Sequence, residues 1–282
     1  MPYRSSSLLL IACLTTISAP VLADLRPLGQ DRWYAALGGY WVYDSETELS
    51  LSPAGTPLVA AQVNLTKDLD VDKAYAGPRF DGYWRFKPKH RVEISAYSVN
   101  RSGSNTINRQ ITIEDPDGDE VVFDTGAKVD TTFDIDVWRV SYLYSFYRSQ
   151  QVELGVGAGL YGLDLSLKLA GDATVNGTPS GVVSESAAAL APLPVVSFRM
   201  DYSPADRWTV RAGIDQFFIN QDNYSGAFND FMLAVEHQTF KYVSFGLGYD
   251  RLQLALEVDD ADYLGKVRSF WTGVMAYAAF RY

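Results

Sequence analysis

From residue 33 onward, apolar and polar residues alternate one by one in ten separate stretches. A period of two is a strand period: successive side chains point to opposite faces, so each stretch has two different sides. Trp33, Ala35, Leu37, Trp41 and Tyr43 alternate with Tyr34, Gly38 and Asp44. Trp138, Val140, Tyr142, Tyr144 and Phe146 alternate with Arg139 and Ser141. Val243, Phe245, Leu247 and Tyr249 alternate with Ser244, Gly246 and Gly248, and the last stretch runs Phe270, Thr272, Val274, Ala276, Ala278, Phe280, Tyr282. Ten two-faced strands with no helix of convincing period restrict the chain to an all-β fold.

The connections alternate as well. Lys87-Pro88-Lys89-His90, Arg148-Ser149-Gln150, Pro204-Ala205-Asp206 and a junction at Lys241 are tight turns. The others read as long loops, at roughly 50–73, 101–132, 171–187, 220–229 and 257–266. Short turns at one end and long connections at the other suit a membrane-spanning barrel, whose closed ladder leaves no sheet edge in lipid. With an even number of strands both ends of the chain meet at the short-turn rim, and a final strand stopping at Tyr282 can pair with the first.

The opening, MPYRSSSLLLIACLTTISAPVLAD, reads as a secretory signal peptide over residues 1–23, with Arg4, an apolar run and Val21-Leu22-Ala23 before the cut. Leu10-Ile11-Ala12-Cys13 resembles a lipidation box, but it comes early and a good cleavage site follows it. The mature chain, 24–282, is then one domain of 282 − 23 = 259 residues, with no cysteine left for a disulfide. A net charge of −10 argues against a nucleic-acid partner. The aromatic share of 13%, with 18 tyrosines, suits a sheet that meets lipid.

These features resemble the Gram-negative outer-membrane β-barrel proteins, of the small monomeric kind. The sharpest element is the C-terminal aromatic pair Phe280 and Tyr282, similar to the insertion signal of that class, with Tyr277 where a glycine is usual. The resemblance implies a transmembrane, antiparallel, up-and-down barrel of ten strands, with eight or twelve as alternatives. It also implies residence in the bacterial outer membrane, with outer-membrane lipid and lipopolysaccharide as surroundings. The barrel assembly machinery would be the insertion partner. Trp33, Trp84, Phe86, Tyr144, Phe146, Tyr202 and Trp208 lie near the short turns and read as the aromatic girdle.

The polar phase carries charge. Arg79, Arg85, Arg139, Arg199, Arg211, Arg251 and Arg281 face Asp81, Glu93, Glu153, Asp201, Asp215, Glu236 and Asp250. Buried charges are tolerated when paired. A ten-stranded barrel has a narrow interior, so the expectation is a lumen largely filled by ion pairs rather than a channel. Catalysis finds little support. His90 sits in a short turn and His237 close to another, whereas outer-membrane hydrolases of this resemblance keep their histidine at the outer leaflet or above. Asp134 and Asp136 share a strand face and read as solvated. Glu114-Asp115-Pro116-Asp117-Gly118-Asp119-Glu120 has hairpin-turn chemistry and not the spacing of a calcium loop, so no metal and no cofactor is expected.

Three strands break step. The apolar phase changes from even to odd at Leu163, Leu165, Leu167 and Leu169. It changes from odd to even at Leu252, Leu254 and Leu256, and from even to odd at Val137, Ile135 and Phe133. Either a β-bulge restores the apolar face to the outside, or the strands run on and the upper interior is apolar. Phe217 and Ile219, already on the inward phase, favour the second and complete a candidate apolar pocket for an acyl chain or a similar small molecule. The functional expectation is a barrel that binds or passes a small or lipid-like molecule. The alternatives are a surface barrel acting through acidic loops and a lipid-directed enzyme.

Overall fold

The computed structural model describes residues 31–53, 63–114, 120–221, 224–259 and 263–282. The stretch expected to be a leader, 1–23, and the acidic stretch 115–119 lie outside the described residues.

In chain order the elements are β1 (Trp33–Pro53), β2 (Val63–Asn64), helix α1 (Leu65–Leu69), β3 (Tyr75–Lys87), β4 (His90–Thr106), β5 (Ile111–Glu114) and β6 (Glu120–Phe123). They continue with β7 (Lys128–Arg148), β8 (Val152–Val175), β9 (Thr178–Ala205), β10 (Trp208–Gln221), β11 (Tyr224–Gln238), β12 (Val243–Asp259) and β13 (Tyr263–Arg281). Ten of these strands close a ring in which neighbours in sequence are neighbours in space; β2, β5 and β6 lie outside it. The ring closes between β1 and β13, from Tyr34↔Arg281 to Pro53↔Tyr263. The turns at Lys87–His90, Arg148–Gln150, Pro204–Asp206 and Lys241 fall on one rim, laced by backbone hydrogen bonds from Tyr282 to Trp33, Ser145 to Lys89, Ser203 to Gln151, Gln238 to Arg207 and Arg281 to Tyr242. The ring at that rim is therefore continuous in hydrogen bonds.

The strands are longer than a membrane requires. About 9–11 residues of tilted strand cross the hydrocarbon, yet β8 has 24 residues and β9 has 28. Much of what reads in sequence as long loops is strand. The stretch near 171–187 narrows to a two-residue hairpin, Asn176-Gly177, both with positive φ as such a turn requires.

Both phases of a strand keep their direction while their polarity changes places. On β8 the outward residues are Val156, Ala158 and Leu160, then Asp164 and Lys168; the inward ones are Glu153 and Gly155, then Tyr161, Leu163 and Leu169. On β7 the outward Trp138–Phe146 band gives way to Asp136, Thr132 and Asp130, while Val137, Ile135 and Phe133 lie inside. On β12 Phe245 and Leu247 give way to Arg251 and Gln253 outside, and Asp250 to Leu252 and Leu254 inside. The register of these strands runs unbroken through each change, so no bulge is present there. The lower half is a membrane barrel, apolar outside and charged inside. The upper half is a water-soluble barrel with an apolar core.

That core is capped from above. Leu65 and Leu69 of α1, then Val71, Ile107, Ile111, Val121 and Phe123 join Phe133, Ile135, Leu163 and Leu252 in one buried cluster. The helix is set by Asn64, whose side chain accepts from the amides of Thr66 and Lys67 at 3.2 and 2.9 Å. The β5–β6 hairpin pairs with the barrel wall, Val121 standing opposite Val175 on β8.

Candidate functional site

Three zones could carry function: the charged lower lumen, the apolar upper interior and the outer surface above the membrane.

The lower lumen holds one connected set of ion pairs. Arg199 reaches Glu93 at 2.9 Å and Asp215 at 2.7 Å, and Arg139 reaches the same two acids at 3.6 and 2.8 Å. Arg91 joins Glu93 at 2.9 Å to Asp201 at 3.0 Å and Glu153 at 3.6 Å, and Arg85 closes on Glu153 at 2.9 Å. From Asp201 the chain continues through Arg211 to Glu236, which also takes Arg281. Above this layer Arg79 bridges Asp81 at 3.0 Å and Asp250 at 2.9 Å. Stacked Tyr34 and Tyr83, 5.1 Å apart, lie under Arg211 and Arg91. The free space among these groups is about 50 Å³, enough for a few waters.

Arg79, Asp81, Arg85, Glu93, Arg139, Glu153, Arg199, Asp201, Arg211, Asp215 and Glu236 thus all meet in the lumen, as do Asp250 and Arg281. Arg251 does not. It is exposed on the outer face, over the Phe270 ring, because β12 alternates without interruption and cannot turn both Asp250 and Arg251 inward. Two lumen residues were missed in the sequence. Arg91 lies on the phase of Glu93, at the strand end where turn and strand are hard to tell apart. Asp230 is buried and accepts from Tyr161, with no arginine on it among the described residues.

The candidate pocket residues split into two groups. Phe133, Ile135, Leu163, Leu252 and Leu254 are buried and pack as core. Leu165, Leu167, Phe217 and Leu256 also lie on the inward phase but stay half-buried against that core, and Ile219, on the same phase, is half-buried beyond it. In the same half, Arg101 is 3% exposed. It donates to Ser45 Oγ at 2.7 Å and Thr47 Oγ1 at 2.9 Å, and lies over the Phe133 ring, without a carboxylate among the described residues. Burial pushes its guanidinium down to about 10.

Outside, at that height, the surface is divided. Asp130, Asp134, Asp136 and Asp164 lie on β7 and β8, with Asn100 donating to Asp134 at 2.8 Å and Ser98 to Asp136. Near α1, hydrogen bonds from Lys67 and Asn64 hold the Glu46 carboxyl below its ordinary range. Arg251 and Arg268 stand on β12 and β13. Both histidines are at the short-turn rim: His90 bonds Tyr142 at 2.6 Å, and His237 packs on Trp208 at 4.8 Å. The girdle tryptophans Trp33 and Trp84 stack there too, 5.5 Å apart.

No protein-family model matches the sequence, and no curated protein matches it. Among solved structures, the outer membrane protease OmpT from Escherichia coli is similar over 92% of this chain and 99% of its own, at 10% identity and a TM-score of 0.51. OprG from Pseudomonas aeruginosa gives 92% and 99% coverage at 10% identity and a TM-score of 0.39. The Pseudomonas putida toluene transporter TodX gives 89% and 90% at 11% and 0.34. The likeness to OmpT is one of fold; the other two add no argument. The chain is a closed ten-stranded barrel of the Gram-negative outer-membrane type, and its apolar lower exterior belongs in that membrane.

Proposed function

We propose that this protein is a non-conducting outer-membrane barrel that works by binding at its extracellular half. The observation that carries this reading is the connected ion-pair layer across the lower lumen, with about 50 Å³ of space left in it. Passage of a solute would require several buried pairs to part together, each at a cost of several kcal/mol. The apolar upper interior, with inward residues that stay half-buried, supports binding of a lipid-like molecule over its passage. A protease reading by analogy with OmpT draws no support from the histidines, since His90 and His237 are the two in the chain and both lie at the periplasmic rim. A surface reading rests on the acidic outer face of β7 and β8, which suits a basic partner.

Planar-bilayer recording tests the closed lumen. The purified barrel is expected to insert without lasting conductance steps. A stable ohmic conductance under moderate voltage would contradict the reading.

A further inference from the structure

Only the lower part of β9 has two neighbours. β8 runs beside it from Val152↔Tyr202 up to Val175↔Thr178, but β10 leaves it at Val196↔Gln216. No other described element pairs with β9, so its upper part has one open edge. The prolines show which backbone groups that edge carries. Pro192 and Pro194 stand opposite Gly162 and Leu160 on β8, and the ladder runs on through them. A proline has no N–H to give, so residues of that parity turn their backbone groups away from β8. The register is unbroken from Pro194 up to Gly181, so Val182, Ser184, Ser186, Ala188 and Leu190 share that parity. Their N–H and C=O groups face the open edge and have no strand partner there among the described residues. Nor does β10 stand across from them. It ends at Gln221, five residues past Gln216, whereas Leu190 is already six past Val196.

An unpaired edge is a template for another strand, and proteins blunt such edges with proline or charge. Prolines do so here at both ends, Pro179 near the hairpin tip and Pro192 and Pro194 on the membrane side, but the stretch 182–190 between them holds none. Pro194 stands opposite Leu160, the last outward apolar residue of β8, so 182–190 lies above the lipid. The neighbouring surface sets the charge of a partner. Asp172 joins Asp130, Asp134, Asp136 and Asp164 on the outward rows of β7 and β8, against Lys128 and Lys168 as the cations there, so acid is in excess. Glu185, the one charged residue within 182–190, is acidic too. Asp136 and Asp164 stand directly opposite each other, a pairing of like charges that a nearby cation would relieve. Val182 and Ser184 are exposed on the outward side of β9, with Val182 opposite Asp172. On the inward phase Val183 is half-buried against the core, and Leu193 and Val195 are buried.

We propose that residues 182–190 of β9 take up an extended basic peptide as an added strand. Main-chain hydrogen bonds to the open edge supply the affinity, and alternate side chains supply the specificity. The outward side chains of the added strand stand two strands from Asp164 and Asp172, about 10 Å away at the usual strand spacing and within reach of lysine or arginine. Its other side chains continue the inward phase of Val183 and Leu193 and are apolar. The partner is therefore a segment that alternates basic and apolar residues. This rests on the extracellular binding role proposed above, with its basic partner, and adds the place and the mode of binding.

The test uses the whole barrel in phosphatidylcholine nanodiscs, with a short fluorescein-labelled peptide alternating lysine and valine as the probe. Fluorescence anisotropy should show saturable binding that empty nanodiscs lack and that a glutamate–valine peptide does not reproduce. An added strand turns only every second amide toward β9. N-methylation of either the lysine or the valine amides should therefore weaken binding at least about tenfold, and N-methylation of the other set should do far less. Ser186→Pro has the parity of Pro192 and Pro194, so it should keep the folded band on a gel and lose the peptide. Asp164→Asn with Asp172→Asn should weaken binding about tenfold at low salt and flatten its salt dependence. Absence of saturable binding, equal affinity of the two N-methylated peptides, or full binding by a folded Ser186→Pro barrel would each overturn the proposal. Loss of peptide binding would leave the closed lumen untouched, and a conducting barrel would leave this test unchanged, so the two failures are distinct.

Discussion

Glu93→Leu is expected to cost the barrel about 3–5 kcal/mol of stability. Glu93 is buried and accepts from Arg91 and Arg199, both at 2.9 Å, with Arg139 at 3.6 Å. Its loss leaves Asp215 to serve Arg139 and Arg199, and leaves Arg91 to Asp201 and Glu153, so the layer carries an uncompensated positive charge. The asymmetry decides the size of the effect. A complete buried network contributes little beyond what apolar packing would, whereas a broken one strands charge in a low-dielectric interior. Urea unfolding in lipid vesicles, followed by tryptophan fluorescence, measures the loss. Glu93→Gln keeps an acceptor at the same place and should lose distinctly less. A change below about 1 kcal/mol in Glu93→Leu would mean that water, not Glu93, compensates these arginines.

The second large effect separates three positions on one strand. Leu247 faces lipid near mid-membrane, Gln253 faces water above it, and Leu254 lies in the upper core at 4% exposure. Arginine at Leu247 should cost about 2–4 kcal/mol, as for a cation on the lipid face at the midplane. Arginine at Gln253 should stay within about 0.5 kcal/mol of the parent. Arginine at Leu254 should be the worst, because it puts an unpaired charge and excess volume among Phe228, Leu252 and Trp271, and the extracellular half should fail to close. Protease nicking above the membrane, with the lower barrel intact, is the expected sign. Equal tolerance at Gln253 and Leu254 would refute the assignment of inside and outside on this strand.

Much of this was legible because alternation reports direction directly. Ten strands, the short-turn rim and the inward charges follow from phase alone, and Glu153, Arg199 and Glu236 stand where the phase puts them. What alternation cannot report is the solvent. A strand leaving lipid for water exchanges its apolar side for its polar side without turning, and Leu160 followed by Leu163 reads as a slip although the backbone runs straight on. The same effect made the upper strands resemble loops. In β1 the opposite holds: a real shift between Val42 and Asp44 sends Tyr43 and Asp44 both outward. Helix α1, five residues long, is too short to show a period, although Asn64 before it is a good cap. The β9–β10 ladder stops at Val196↔Gln216, just before Pro194 and Pro192, which lack the N–H a ladder needs.

Spin labels along β8 test the two-part barrel most directly. Cys13 is the one cysteine of the sequence, so in a chain expressed from residue 24 single-cysteine variants can be labelled at 156, 160, 163, 164, 165 and 168 without a background thiol. Labels at Val156 and Leu160 should collide with oxygen dissolved in lipid. Those at Asp164 and Lys168 should collide with a water-soluble nickel complex, and those at Leu163 and Leu165 should be immobile and shielded from both. If labels at 163 and 165 instead meet lipid, with 164 shielded, a bulge has reset the strand and the apolar interior of the upper barrel does not exist.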